Sequence, residues 1–154
     1  MTDHAIEHVV VQAPLDRCFA ALIDFEHYPA WAADIKETVV VTRDEQGRGL
    51  EVTWRAAAMG RSTTVQLEYD YSEAPERLSW HLTDGDIIRR YDGHYALSPA
   101  EGDVDATEIE YELSVDLVVP LPGFVKRRAE ARIIKAALPD LKAYIEAGQA
   151  STSS

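Results

Sequence analysis

Alternation of apolar and polar residues is the feature that most constrains this chain, and it runs from residue 36 to residue 119 with few breaks. In its clearest stretch, the odd-numbered positions from Ile109 to Val119 are all apolar, whereas the even-numbered positions from Glu108 to Asp116 are acidic or serine. Successive side chains of a strand point to opposite faces of a sheet, so this period of two is typical of antiparallel strands with one buried face and one wet face.

The alternation and the turn residues between its segments predict seven strands joined by short connections. They cover residues 6–13, 36–42, 50–58, 61–71, about 78–82, 87–97 and 107–119. Met59-Gly60 and residues 73–76 are expected to form tight turns, and the polar segment 99–105 is expected to be a loop.

Helical spacing replaces the alternation in three places. Pro14 ends the first strand, and Leu15, Cys18 and Leu22 then recur at the spacing of a short amphipathic helix. Asp24 suits the N-cap of a second short helical piece that reaches Trp31. The last element is a long helix over residues 124–147, with Gly148 as its C-cap residue and with an apolar stripe that consists of Ile134, Leu138, Leu141 and Ile145.

These elements predict an α+β fold, in which a seven-stranded curved antiparallel sheet wraps around the long C-terminal helix. Seven strands span roughly 30 Å, whereas one helix covers a strip only about 10–12 Å wide. The inward phase nevertheless carries bulky rings across the whole width of the sheet: Trp54, Tyr69, Trp80, Tyr91, Tyr95 and Tyr111. Either these rings fill an ordinary core, or the curled sheet leaves a slot that holds a ligand.

Composition limits the function further. The net charge of −12 and the pI of about 4.7 argue against nucleic acid or an anionic membrane as the main partner, and Lys126-Arg127-Arg128 is expected to be a solvated helix face. The chain has one cysteine and no apolar stretch long enough to span a membrane. We therefore expect a cytoplasmic protein without stable membrane insertion, with one domain over residues 1–148 and a disordered tail over 149–154.

Residues for cofactor or metal chemistry are not apparent. The five histidines show no metal-ligand spacing, and neither a glycine-rich phosphate loop nor a nucleophile elbow is present. We expect no metal and no cofactor. The informative polar residues are Arg127 and Glu130, which share the helical stripe of Ile134, and Arg89, which shares the strand phase of Tyr91. They either bind the ligand as polar handles or reach solvent from the helix and strand ends.

Two motifs resemble a known family. The first is VQAP at 11–14, followed by Cys18-Phe19 and by DFEHYPAW at 24–31; the second is PLPGF at 120–124, followed by LPDLK at 138–142. Together with the order of elements they resemble the helix-grip superfamily of START-like domains, and in particular the bacterial polyketide cyclase/dehydrase and lipid-transport family. The resemblance covers residues 6–147.

The resemblance implies a cavity for a lipid, polyketide or isoprenoid, held by a carrier or binding protein. It leaves open an aromatase/cyclase that folds and dehydrates a polyketide, and a protein-interaction module that uses the same groove for a partner protein. We favour the binder because the sequence shows no evident acid/base pair. The candidate ligand-binding residues are Trp31, Trp54, Tyr69, Trp80, Arg89, Tyr91, Tyr95, Tyr111, Arg127, Glu130 and Ile134.

Overall fold

The predicted order of elements is confirmed in a computed structural model, which describes residues 3–58, 61–118 and 120–152. The strands are β1 (Asp3–Val11), β2 (Ile35–Arg43), β3 (Gly49–Ala58), β4 (Arg61–Asp70), β5 (Arg77–Gly85), β6 (Ile88–Ala100) and β7 (Asp103–Leu117). The helices are α1 (Leu15–Leu22), α2 (Tyr28–Trp31) and α3 (Gly123–Thr152), with a 3₁₀ turn at Phe25–His27 before α2.

All seven strands form one curved antiparallel sheet in the order β1-β7-β6-β5-β4-β3-β2. Strands β2 to β7 follow one another as hairpins, and β1 pairs with β7 at the other edge. The predicted fold class, a curved sheet around a long C-terminal helix, is therefore confirmed. The predicted turn at Met59-Gly60 and the inward position of Val119 lie outside the described residues.

The two ends of the sheet differ in what lies over them. At one end, called the open end below, strands β2, β4 and β6 begin and strands β3, β5 and β7 finish. The strand pairing shows this, because Ile35 pairs with Ala56, Ala56 with Thr63, and Ile88 with Leu117. Helix α1 follows the opposite end of β1 and packs on β6, β7 and α3. Because α3 follows β7, its first turns lie at the open end.

Helix α3 supplies the second layer. Its predicted apolar stripe is buried, with Ile134 and Leu141 each 1% exposed and Leu138 and Ile145 nearly as enclosed. These side chains belong to the same buried core as inward residues of the sheet, among them Leu113 and Val115 of β7, and α3 packs on β1 and β7. Cys18 of α1 is fully buried, as expected of a small core residue.

Three predicted boundaries are wrong. The segment 99–105 is not a loop, because β6 continues to Ala100 and β7 begins at Asp103; Gly102, with a φ of 76°, makes the tight reversal between them. The polar residues of segment 99–105 lie on the exposed ends of β6 and β7. Helix α3 also passes through Gly148 to Thr152, so Gly148 lies inside the helix and is not its C-cap residue. Asp24 does not cap the next helical piece; its Oδ1 instead bonds His27 Nδ1 at 2.8 Å.

Candidate functional site

A cavity of about 150 Å³ lies between α3, α2 and the concave face of the sheet. It is similar in size to engineered cavities of about 150 Å³ that hold benzene, and smaller than typical drug-sized sites of about 300–1,000 Å³. Eight aromatic rings contribute to its wall: Tyr28, Trp31, Trp54, Tyr69, Trp80, Tyr91, Tyr95 and Tyr111. Aliphatic side chains, including Leu67, Leu78 and Ile133, complete it.

The mouth of the cavity lies at the open end of the sheet. Its wall there includes the exposed residues Ala33 and Ala57 and the half-buried residues Asp34, Ile35 and Asp140. The segment between α2 and β2 thus forms one rim, and α3 forms the other. The wall deeper in the cavity consists of fully enclosed side chains of the central strands, such as Leu78 and Tyr111.

The rings at the inner end pack on one another and still leave space. Tyr95 stacks on Tyr111, with ring centroids 4.9 Å apart and an interplanar angle of 17°, and Trp80 lies 5.1 Å from Tyr95. The two alternatives from the sequence, a packed aromatic core and a slot, are therefore both present in part. The aromatic residues build the core and also form the wall of a cavity inside it.

Deeper than the mouth, the polar groups in the wall are neutral hydrogen-bonding groups. Burial raises the pKa of Tyr69, Tyr91, Tyr95 and Tyr111 above the ordinary value, so their hydroxyls stay protonated. The indole nitrogens of Trp31 and Trp80 are buried without a hydrogen-bond partner. These groups would suit a ligand that carries hydroxyl or carbonyl oxygens.

Charged groups are confined to the mouth, where two carboxylates occur. Asp140 Oδ2 accepts the backbone N–H of Ala33 at 3.2 Å, and Asp34 Oδ1 lies 3.7 Å from Arg132 Nη2. No cation and no histidine contributes to the described wall. Both carboxylates already have partners, so neither is a free acid or base aimed into the cavity.

Seven of the eleven candidate residues line the cavity: Trp31, Trp54, Tyr69, Trp80, Tyr91, Tyr95 and Tyr111. The other four are not part of this wall: Arg89, Arg127, Glu130 and Ile134. Of the two alternatives predicted for the charged residues, Arg89 and Arg127 follow the one in which they reach solvent. Ile134 is buried in the core and does not line the cavity.

A β-bulge explains the misplacement of Arg89. Ile88 pairs with Leu117 and Arg90 pairs with Asp116, so Arg89 is the extra residue of the bulge. The bulge reverses the inward and outward alternation of the strand. Ile88 before the bulge and Tyr91 after it therefore both line the cavity. The Arg89 side chain is 70% exposed, and its Nε lies 3.8 Å from Asp116 Oδ2.

Arg127 and Glu130 have separate environments, although they share a helical stripe. Arg127 is exposed in the first turns of α3. Glu130 is fully buried; its Oε2 accepts the N–H of Leu117 at 2.9 Å, and its Oε1 has no hydrogen-bond partner. Glu130 therefore accepts the hydrogen bond of a backbone N–H at the end of β7 and does not line the cavity.

The helix residues that do line the cavity are Ile133, Ala137 and Asp140, which the sequence analysis missed. Their spacing of four and three places them on one side of α3, next to the buried stripe. The sequence shows this second partly apolar side, but only the tilt of α3 over the sheet determines which flank faces the cavity. Tyr28, Leu22 and the rim residues from Ala32 to Ile35 were also missed.

No group of three or more histidine, cysteine or acidic side chains suited to a metal ion occurs in the described part of the chain. Among the helices of the same residues, none is both long enough and apolar enough to cross a membrane.

A curved antiparallel sheet that holds a long helix over an aromatic cavity defines a helix-grip protein. The model of the family described as polyketide cyclase/dehydrase and lipid transport matches residues 3–146, and the chain belongs to this family. No curated protein matches the sequence.

Solved structures with the same fold include proteins of different descriptions. A START superfamily protein from Mycobacterium smegmatis has 22% identity and a TM-score of 0.83, and the match covers 93% of this chain and 97% of that one. The Zhui aromatase/cyclase from Streptomyces sp. R1128 has 14% identity and a TM-score of 0.79, with 95% and 94% covered. A protein from Thermus thermophilus has 22% identity and a TM-score of 0.79, with 99% and 100% covered.

Proposed function

We propose that this protein binds a neutral, apolar small molecule in the cavity between the sheet and α3, as a carrier or binding protein in the cytoplasm. A lipid, a polyketide or an isoprenoid fragment would suit the site. The observation that carries the proposal is the cavity itself, whose wall consists mainly of eight aromatic rings and aliphatic side chains and includes no cation among the described residues. The seven predicted aromatic residues of this wall are the proposed ligand contacts.

An aromatase/cyclase is the second candidate, because structures of that description share the fold. Such an enzyme needs an acid or base within hydrogen-bonding reach of the substrate. The two carboxylates of the cavity wall, Asp34 and Asp140, are bound to partners at the mouth. The buried Glu130 lies outside the wall. These positions favour binding without catalysis, and the presence of a cavity favours a small ligand over a partner protein.

Tryptophan fluorescence tests the proposal directly, because all three tryptophans of the chain line the cavity. We expect 2-naphthol, a neutral bicyclic phenol, to change the emission with saturation. Its anionic analogue 2-naphthoate should bind at least about tenfold more weakly, because a buried carboxylate would lack a cation. Equal binding of both compounds would refute the neutral-ligand proposal, and native mass spectrometry of the purified protein would identify a co-purifying ligand.

A variant that fills the cavity provides the control. Ala137 lines the cavity, so Ala137→Phe should abolish the fluorescence response. Ala143 lies on the exposed side of the same helix, so Ala143→Phe adds the same ring without entering the cavity. If both variants bind 2-naphthol as the wild type does, the ligand does not occupy this cavity.

A further inference from the structure

The open end of the sheet carries a patch of exposed apolar side chains. Phe124, in the first turn of α3, is 64% exposed, Val118 is 47% exposed and Leu121 is 39% exposed. All three belong to the connection between β7 and α3 or to its immediate continuation. Single exposed apolar side chains are normal on a protein surface, but three large ones on one connection form a patch.

Cations follow this apolar patch along the first turns of α3. Residues 123–135 contain five of the 15 lysines and arginines of the chain, but only one of its 27 acidic residues, the buried Glu130. Arg127, Arg128 and Lys135 are exposed and have no carboxylate partner within 4.0 Å among the described residues. In a chain with a net charge of −12, unpaired cations on one helix are a marked local reversal of charge.

The nearest carboxylates do not cancel this charge. Asp116 is bound by Lys126, whose Nζ lies 2.7 Å from Asp116 Oδ1, and Arg89 lies on the other side of the same carboxylate at 3.8 Å. Asp34 is paired with Arg132. The more distant acidic residues are screened at physiological ionic strength, where the Debye length is about 8 Å.

The same end of the molecule contains the mouth of the cavity. The rim at Ala33, Asp34 and Ala57 lies at the open end, as does the start of α3. A surface that contacts the Phe124 region would therefore lie beside the opening of the cavity.

We propose that the β7–α3 connection and the first turns of α3 form a docking surface for an anionic lipid bilayer. Phe124 and Leu121 would enter the interfacial region, and Arg127, Arg128 and Lys135 would lie at the level of the lipid headgroups. Three protruding side chains of this size suit the deformable interface of a bilayer, whereas a folded protein partner would need a complementary shape. The binding is peripheral and reversible, and it does not depend on the identity of the cavity ligand.

Co-sedimentation with vesicles tests this proposal. The wild-type protein should bind vesicles that contain about one third phosphatidylglycerol at least tenfold more tightly than pure phosphatidylcholine vesicles. Raising the salt concentration from about 0.05 M to about 0.5 M should release it. Failure to bind the anionic vesicles at low salt, or equal binding to both kinds of vesicle, would overturn the proposal without any variant.

Charge-matched variants then locate the surface. The double variant Arg127→Glu with Arg128→Glu should weaken binding to the anionic vesicles by about 20-fold or more. The control is Arg43→Glu with Arg77→Glu, at the opposite end of the sheet. It makes the same change in net charge and should have a far smaller effect. Phe124→Ser should weaken binding by about tenfold, and Val104→Ser, at a residue 79% exposed, should not. Equal losses in the matched pairs would overturn the assignment; circular dichroism checks that each variant is folded.

Discussion

The indole of Trp31 stacks on the ring of Tyr144, with centroids 5.2 Å apart and an interplanar angle of 13°. This contact joins α2 to α3 across the mouth of the cavity. The hydrogen bond from the N–H of Ala33 to Asp140 Oδ2 joins the same two segments, as does the ion pair between Arg132 and Asp34. The two rims of the mouth are therefore held together by side chains and not by the sheet.

Loosening the stack between Trp31 and Tyr144 should speed ligand exchange. We expect Tyr144→Ala to raise both the association and the dissociation rate of 2-naphthol by about two- to tenfold, since an aromatic pair contributes about 0.5–1.5 kcal/mol. The dissociation constant should change little, because Tyr144 does not line the cavity. Stopped-flow tryptophan fluorescence measures both rates. A change in the dissociation rate alone would show that Tyr144 contributes to affinity and not to access.

Removing the centre of the α3 stripe should be costly. Leu141 is 1% exposed and packs within the core, so Leu141→Ala should lower the free energy of unfolding by about 2–5 kcal/mol. Denaturant unfolding measures the change. Val104→Ala, at a residue 79% exposed, is the control and should stay within about 0.5 kcal/mol of the wild type. A loss below about 0.5 kcal/mol for Leu141→Ala would contradict the packing of the helix.

Alkaline pH should unfold the protein through its buried tyrosines. Burial raises the pKa of Tyr28, Tyr69, Tyr91, Tyr95 and Tyr111 above the ordinary value of about 10. The folded state keeps these hydroxyls protonated at a pH where the unfolded chain loses the protons. Their contribution to stability is therefore complete below about pH 10 and falls as the pH rises above it.

The free energy of unfolding, measured by denaturant between about pH 8 and pH 11, should fall steeply above about pH 10. The ultraviolet absorbance of tyrosinate should then appear together with the loss of circular dichroism. Tyrosines that ionise near pH 10 while the circular dichroism stays native would contradict the enclosed positions of these hydroxyls.

The sequence could predict those parts of the fold in which one residue pattern determines one structure. The alternation in residues 107–119 placed Tyr111, Leu113 and Val115 on the inward face, where they are buried. Strand ends were less predictable, because the polar residues at Asp103 and Asp105 are compatible with either an exposed strand or a loop. Gly148 likewise could end a helix or lie inside one.

The cavity wall was predictable on the sheet and not on the helix. Strand phase places Trp54, Tyr69 and Trp80 on the concave face whatever the position of α3. Which flank of α3 faces the cavity depends on its tilt over the sheet, so the sequence predicts Ile134 as a contact where the structure has Ala137. Arg89 was misplaced because a bulge of one residue reverses the phase of every position beyond it.

The three charged candidates provide the last prediction, because none of them lines the cavity. Arg89→Ala, Arg127→Ala and Glu130→Gln should bind 2-naphthol within about twofold of the wild type, whereas Tyr91→Leu, which removes part of the wall, should weaken binding by about fivefold or more. Fluorescence titration measures all four affinities. Glu130→Ala, which leaves the N–H of Leu117 without its partner, should instead lower the free energy of unfolding by about 1–3 kcal/mol. If Glu130→Gln abolished binding in a protein of unchanged stability, Glu130 would belong to the ligand site, and the cyclase alternative would gain its missing acid.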